Sequence, residues 1–132
     1  MELETGESSF DIIKIPSDVY IATLVGEDEY QRNNDGIMEN RVMLKFEVEY
    51  KDGSETKKTE LVYNCPIPKI MTPNTKLGGV FSLLGLKDFT PHAKIDTSVF
   101  YGKKCRIVVK DNEYTSNGKK VESSTITDLM PL

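Results

Sequence analysis

The chain has 132 residues and a formal net charge of −4. One domain of that length buries a core without disulfide or metal staples. No apolar run reaches the 18 residues of a membrane span, and an acidic total argues against a plain polycation that coats nucleic acid.

Residues 1–10 are polar and acidic and predict a frayed arm, with neither the basic region nor the apolar stretch of a signal peptide. Ile12, Ile13 and Ile15 precede Pro16 and predict a short lead-in strand or a cap over one barrel end. The expected organisation is therefore an arm over 1–15 and a single domain over 16–132. The first main strand spans 19–25, with Tyr20, Ala22 and Leu24 on one face. Its other face, Val19, Ile21, Thr23 and Val25, is nearly as apolar, as expected if something covers it. Gly26 interrupts the strand and marks a bulge or bend. Residues 27–32 continue outward to the turn Asn33-Asn34-Asp35-Gly36.

The second strand has the cleanest period of two. Val42, Leu44, Phe46, Val48 and Tyr50 alternate with Arg41, Met43, Lys45, Glu47 and Glu49, so one face is core and the other meets water or a ligand. Asp52-Gly53 signals a hairpin. The third strand covers 57–65, with Leu61, Tyr63 and Cys65 on one side, and Pro66 and Pro68 stop it. Over 75–84 the period changes: Leu77, Val80, Phe81 and Leu84 fall at i, i+3, i+4 and i+7, one helical face closed by Gly85. Asn74 or Thr75 is its N-cap, and Gly78-Gly79 lets it lie close to a barrel end. Residues 87–101 are irregular, with a turn at Asp96-Thr97. A fourth strand over 104–110 turns Cys105, Ile107 and Val109 inward, Asn117-Gly118 makes a hairpin, and a last strand covers 121–129. The order β-β-β-α-β-β predicts an all-β domain. Its expected form is a five-stranded Greek-key barrel of the oligonucleotide/oligosaccharide-binding (OB) type, with the helix between strands three and four.

No catalytic constellation assembles. The single histidine, His92, lies in a loop with no ligand partner at metal spacing, and the nucleophile-elbow, zinc-protease, Walker and dinucleotide motifs do not occur. Glu27-Asp28-Glu29 lacks the ligand order of a calcium loop and reads as acidic surface. The chain is expected to be no enzyme and to need no cofactor. Cys65 and Cys105 lie in strands, form no framework, and fit small buried hydrophobes in a reducing, cytoplasmic compartment.

Binding has better material. Residues 1–60 hold 15 Asp/Glu against 7 Lys/Arg, while 61–132 hold 6 against 10, so the acidic total leaves room for a local basic stripe, although most of these charges are expected simply to solvate exposed strand faces. The outward side of strand two offers Arg41, Met43 and Lys45, and strand three offers Val62 and Asn64. The first loop adds Tyr30, Arg32, Asn33 and Asn34; strand four adds Arg106; the last loop adds Tyr114, Asn117, Lys119 and Lys120. Single-stranded nucleic acid is held by cations that track phosphates and by flat side chains on which bases stack. Tyr30 and Tyr114 are the expected stacking groups. Arg32, Arg41, Lys45, Arg106, Lys119 and Lys120 are the expected basic contacts. Glu47, Glu49 and Glu60 share that face and oppose phosphate. A tyrosine beside a hairpin also commonly packs over the neighbouring strand.

Three stretches carry a resemblance. They are Pro16-Ser17-Asp18-Val19-Tyr20-Ile21-Ala22, the strand Val42-Met43-Leu44-Lys45-Phe46-Glu47-Val48, and the closing Gly102-Lys103-Lys104-Cys105-Arg106-Ile107-Val108-Val109. The last continues through Asn117-Gly118 to Thr125-Ile126-Thr127-Asp128-Leu129-Met130-Pro131. Together they resemble small single-stranded-DNA-binding-like OB proteins encoded by phages. That family often has glycine where this chain has Asp18, and residues 65–97 do not match its pattern. The resemblance implies an OB barrel, no cofactor, and binding of single-stranded DNA without marked sequence preference in viral replication or recombination, in the host cytoplasm. DNA is favoured over RNA as partner, and self-association would add affinity through multivalency. The alternative is an OB-like interaction module whose partner is a protein, which the acidic N-terminal half favours.

Overall fold

A computed structural model describes residues 14–89 and 94–132. The expectations for 1–13, including Ile12 and Ile13, and for His92 lie outside the described residues. Five antiparallel strands form one sheet: β1 (Asp18–Asn34), β2 (Ile37–Asp52), β3 (Glu55–Pro66), β4 (Lys104–Ser116) and β5 (Lys119–Met130). A helix, α1 (Lys76–Leu83), and a 3-10 turn (Thr97–Phe100) lie between β3 and β4. The hydrogen-bonded order is β3-β2-β1-β4-β5. The sheet curls until its edges β3 and β5 approach each other, but no ladder joins them. The expected closed barrel is therefore an open, curled sheet in its hydrogen bonding.

Every strand is longer than its alternation predicts, because the hairpin arms keep pairing beyond the core. The turns explain the registers. Asp35 and Gly36 both have positive φ (52° and 82°) between the paired Asn34 and Ile37, a two-residue type I′ loop. Asn33 Oδ1 braces it by accepting from Gly36 N at 2.9 Å. Asn117 and Gly118 repeat the geometry at φ 52° and 76°. Between β2 and β3 the loop is Gly53-Ser54, one residue later than the Asp52-Gly53 expected, since Asp52 still pairs with Glu55.

The bulge at Gly26 has the largest consequence. Before it, Ala22 and Leu24 face the core opposite Val48 and Phe46; after it, Glu27 lies opposite Leu44 and Tyr30 opposite Arg41. The extra residue exchanges the two faces of β1, because side chains alternate with a period of two. Tyr30 thus shares the outer face with Arg41, Met43 and Lys45.

The core comprises the inward residues of all five strands together with α1, the 3-10 turn and the segment before β1. Ala22, Leu24, Leu44, Phe46, Val48, Cys65, Cys105 and Ile107 have no exposed surface. Leu77, Val80, Phe81 and Leu84, the expected helical face, are all buried. Thr75 is the N-cap, its side chain accepting from Gly78 N at 3.0 Å. Phe81 meets Phe100 of the 3-10 turn at 5.3 Å between ring centroids, and Lys76 Nζ sits 4.4 Å over the Tyr63 ring of β3. The close approach expected at Gly78-Gly79 is made by Gly78 alone, and against the chain leading into the helix. A Cβ there would lie 1.8 Å from Thr72 O.

Ile15 is buried, its N–H donating to Ser124 Oγ at 2.7 Å while its carbonyl accepts from the same hydroxyl at 3.0 Å. Lys14 beside it pairs with Asp111 and, at 3.7 Å, with Glu122. This segment covers the inner side of the β4–β5 hairpin. The outer side of β1 stays open instead of covered: Val19, Ile21 and Val25 are 47%, 56% and 40% exposed.

Candidate nucleic-acid interface

The outer face of β1–β2–β3 is built by register. Tyr30 on β1 faces Arg41 on β2, and Met43 on β2 faces Asn64 on β3. The Tyr30 hydroxyl accepts from Arg41 Nε at 3.2 Å and donates to Asn64 Oδ1 at 3.2 Å. Neighbouring strands lie ~4.8 Å apart, so a tyrosine that reaches from β1 to β3 lies along the sheet. One edge of this platform is anchored by Arg41, whose Nη1 is 3.4 Å from Glu39 Oε2. The Tyr30 hydroxyl and then Glu39 hold the Arg41 guanidinium in its charged form.

Lys45, further along β2, pairs with Asp28 of β1 at 2.7 Å. The Asp28 carboxylate raises the ammonium above its ordinary value. Val62 faces Lys45 from β3 and is 41% exposed. Lys58 lies 3.7 Å and 3.6 Å from Glu47 and Glu49. Arg41, Lys45 and Lys58 thus each already have a carboxylate partner. Arg32, on the arm beyond Tyr30, is exposed and faces Glu39 across the ladder without an ion pair among the described residues.

The remaining expected residues lie elsewhere. β1 pairs with β4 only from Asp18 to Thr23, so the β1–β2 hairpin projects past one end of the sheet and the β4–β5 hairpin past the other. Tyr30 and Tyr114 are therefore at opposite ends, with several tens of ångströms of ladder between them at ~3.3 Å per residue. Arg106 faces outward between Ile21 and Met130. Tyr114, 43% exposed, lies further along the same face, opposite Val121. Lys119 and Lys120 are split by the alternation: Lys119 shares the side of Tyr114, while Lys120 lies on the other side and pairs with Glu113 at 3.4 Å. The structure brings together Tyr30, Arg41, Met43, Lys45 and Asn64, and sets Arg106, Tyr114 and Lys119 apart as a second group. The expectations omit Lys104 and Lys110, although the inward Cys105, Ile107 and Val109 already imply that both share the face of Arg106.

Glu27, Asp28 and Glu29 do not converge. Glu27 accepts from Thr97 Oγ1 and, at 2.9 Å, from Tyr101 Oη, tying the 3-10 turn to β1. Burial and then this bond push the Tyr101 phenol up to about 12. Among the described residues no group of three or more His, Cys, Asp or Glu is placed to hold a metal ion, and no helix is long and apolar enough to cross a membrane. Two shallow clefts, about 380 and 350 Å³, include Glu29 and Ile67 among their linings. Both carry glutamates, a poor lining for an anion. No family model matches the chain, and no curated protein matches it in sequence.

Proposed function

We propose that the protein binds single-stranded DNA on the outer face of its sheet, by base stacking and phosphate contact and with little dependence on sequence. The observation that carries this reading is the Tyr30 side chain laid across β2 and tethered by Arg41 and Asn64. A ring anchored along a sheet is a stacking platform, and stacking is sequence-tolerant because every base has a π-face. The strand order, the helix between β3 and β4 and the approach of β3 to β5 support an OB-type barrel as the scaffold. A role in viral replication or recombination rests on the resemblance in strand pattern alone. The test is fluorescence anisotropy with labelled single-stranded and duplex oligonucleotides at low and physiological salt. Saturable binding to the single strand, weaker for duplex and falling with salt, supports the reading. No binding at micromolar protein in low salt overturns it.

A protein partner is the second reading, favoured by the exposed Val19, Ile21 and Val25 and by the mutually neutralised charges of β2 and β3. Pull-down in high salt separates the two, since an apolar interface persists where salt displaces the protein from phosphate.

A further inference from the structure

The outer face of the sheet is electrostatically divided. On β2 and β3 three outward cations are held by carboxylates, Arg41 by Glu39, Lys45 by Asp28 and Lys58 by Glu47 and Glu49, while Lys51, at the hairpin end of β2, donates to the Thr56 hydroxyl. On β4 the outward residues include Lys104, Arg106 and Lys110, all exposed, and none enters an ion pair with a described residue. β5 sets one acid beside them, Asp128, and the register places it opposite Val108, in the gap between Arg106 and Lys110. On the other flank β1 sets Thr23 against Lys104, Ile21 against Arg106 and Val19 against Val108. An unpaired cationic row thus runs beside an exposed aliphatic row, one strand apart. Same-face residues on a strand repeat at ~6.7 Å, the order of the spacing between successive phosphates along an extended single strand.

We infer that β4 is the phosphate track of this protein: Lys104, Arg106 and Lys110 hold the backbone of a single strand whose bases turn onto Val19 and Ile21. The inference rests on the single-strand reading above and relocates its electrostatic part. Binding at Lys104, Arg106 and Lys110 breaks no existing ion pair, whereas a phosphate at Arg41 or Lys45 must displace Glu39 or Asp28. Charge complementarity selects this occupant over a second copy of the chain, because a two-fold contact through the face would oppose like cations. Tyr114 continues the row on β4 and gives the track a stacking group at its far end.

The test uses the full chain and labelled oligothymidine, with affinity measured from low to physiological salt. The double substitution Lys104→Ala/Lys110→Ala is expected to lower affinity about tenfold at low salt and to flatten the slope of log affinity against log salt by ~1.4, that is ~0.7 for each phosphate no longer neutralised. Lys58→Ala, which removes an already paired cation, is expected to leave the slope unchanged. Ile21→Thr keeps a β-branched residue on the strand and is expected to weaken binding with the slope intact. An unaltered slope in the double variant, with the wild type binding normally, overturns the track and leaves the single-strand reading standing. Full affinity in Ile21→Thr accompanied by a changed sedimentation mass overturns it too, and marks the aliphatic row as a protein interface. Absence of wild-type binding removes both readings.

Discussion

The hydroxyl of Tyr30 on β1 donates to Asn64 on β3, 34 residues away in sequence and with β2 between them, at 3.2 Å. Its second partner is Arg41 Nε, so one tyrosine joins all three strands on the outer face. Tyr30→Phe keeps the ring and removes both bonds; Tyr30→Ala removes the ring. If the ring is a stacking platform, Tyr30→Ala lowers the affinity for single-stranded DNA by ~1–3 kcal/mol. Tyr30→Phe should lose less, and each should shift the thermal midpoint by only a few degrees, as a surface substitution does. Titration by anisotropy alongside thermal melts checks this.

Tyr114 offers the complementary experiment. It stands at the other end of the sheet, so Tyr114→Ala is expected to weaken binding without altering the Tyr30 cluster. Distant sites without shared partners add within ~0.5 kcal/mol. The Tyr30→Ala/Tyr114→Ala double-mutant cycle should therefore show almost no coupling with an oligonucleotide long enough to contact both tyrosines in one complex.

The two helical glycines should behave oppositely. A Cβ on Gly78 would stand 1.8 Å from the Thr72 carbonyl oxygen and 2.8 Å from Thr75 Oγ1. Gly78→Ala must push backbone aside and disturb the N-cap, so it is expected to destabilise by ~2 kcal/mol or more. At Gly79 the nearest atom would be Pro73 O at 3.8 Å, ordinary contact. Gly79→Ala is expected to stabilise by up to ~1 kcal/mol through helix propensity. Urea unfolding of both variants decides the matter.

Cys65 and Cys105 are fully buried, and burial pushes both thiols up to about 11. The thiolate is the reactive form, so both should resist a thiol reagent at pH 8 in the native protein. Two equivalents should react once denaturant is added. Rapid labelling without denaturant would show that β3 or β4 opens locally.

The Lys14 ammonium holds the Asp111 carboxyl below the usual carboxylate range, with Ser17 Oγ adding a bond at 3.2 Å. A depressed folded-state value stabilises the fold above the ordinary carboxylate pKa, and the contribution is lost as pH falls through the depressed value. Lys14→Met is expected to move the Asp111 titration upward toward the ordinary range, read by NMR of its side-chain carboxyl carbon. Once the pH falls below that depressed value, the stability difference between wild type and variant that arises from this pair should disappear.

Much of this structure was legible in one dimension. The alternation of Val42, Leu44, Phe46 and Val48, the 3.6-residue spacing of Leu77, Val80, Phe81 and Leu84, the Asp35-Gly36 and Asn117-Gly118 turns and the Thr75 cap are local signals. Backbone sterics and side-chain periodicity act over a few residues, so the five strands, the helix and most inward faces follow from sequence. Partners across strands do not. The bulge at Gly26 turned Tyr30 outward, and the ladder registers set Glu39 beside Arg41 and Asp28 beside Lys45. The same registers placed Tyr114 at the opposite end from Tyr30 and left Lys104, Arg106 and Lys110 together without carboxylates paired to them. Register is a long-range property, set jointly by turns, bulges and core packing, and a shift of one residue reverses every face. The sequence by itself therefore determined which segments pair as strands and which side of each seeks the core. Only the tertiary structure decided which charges cancel and which remain open to a ligand.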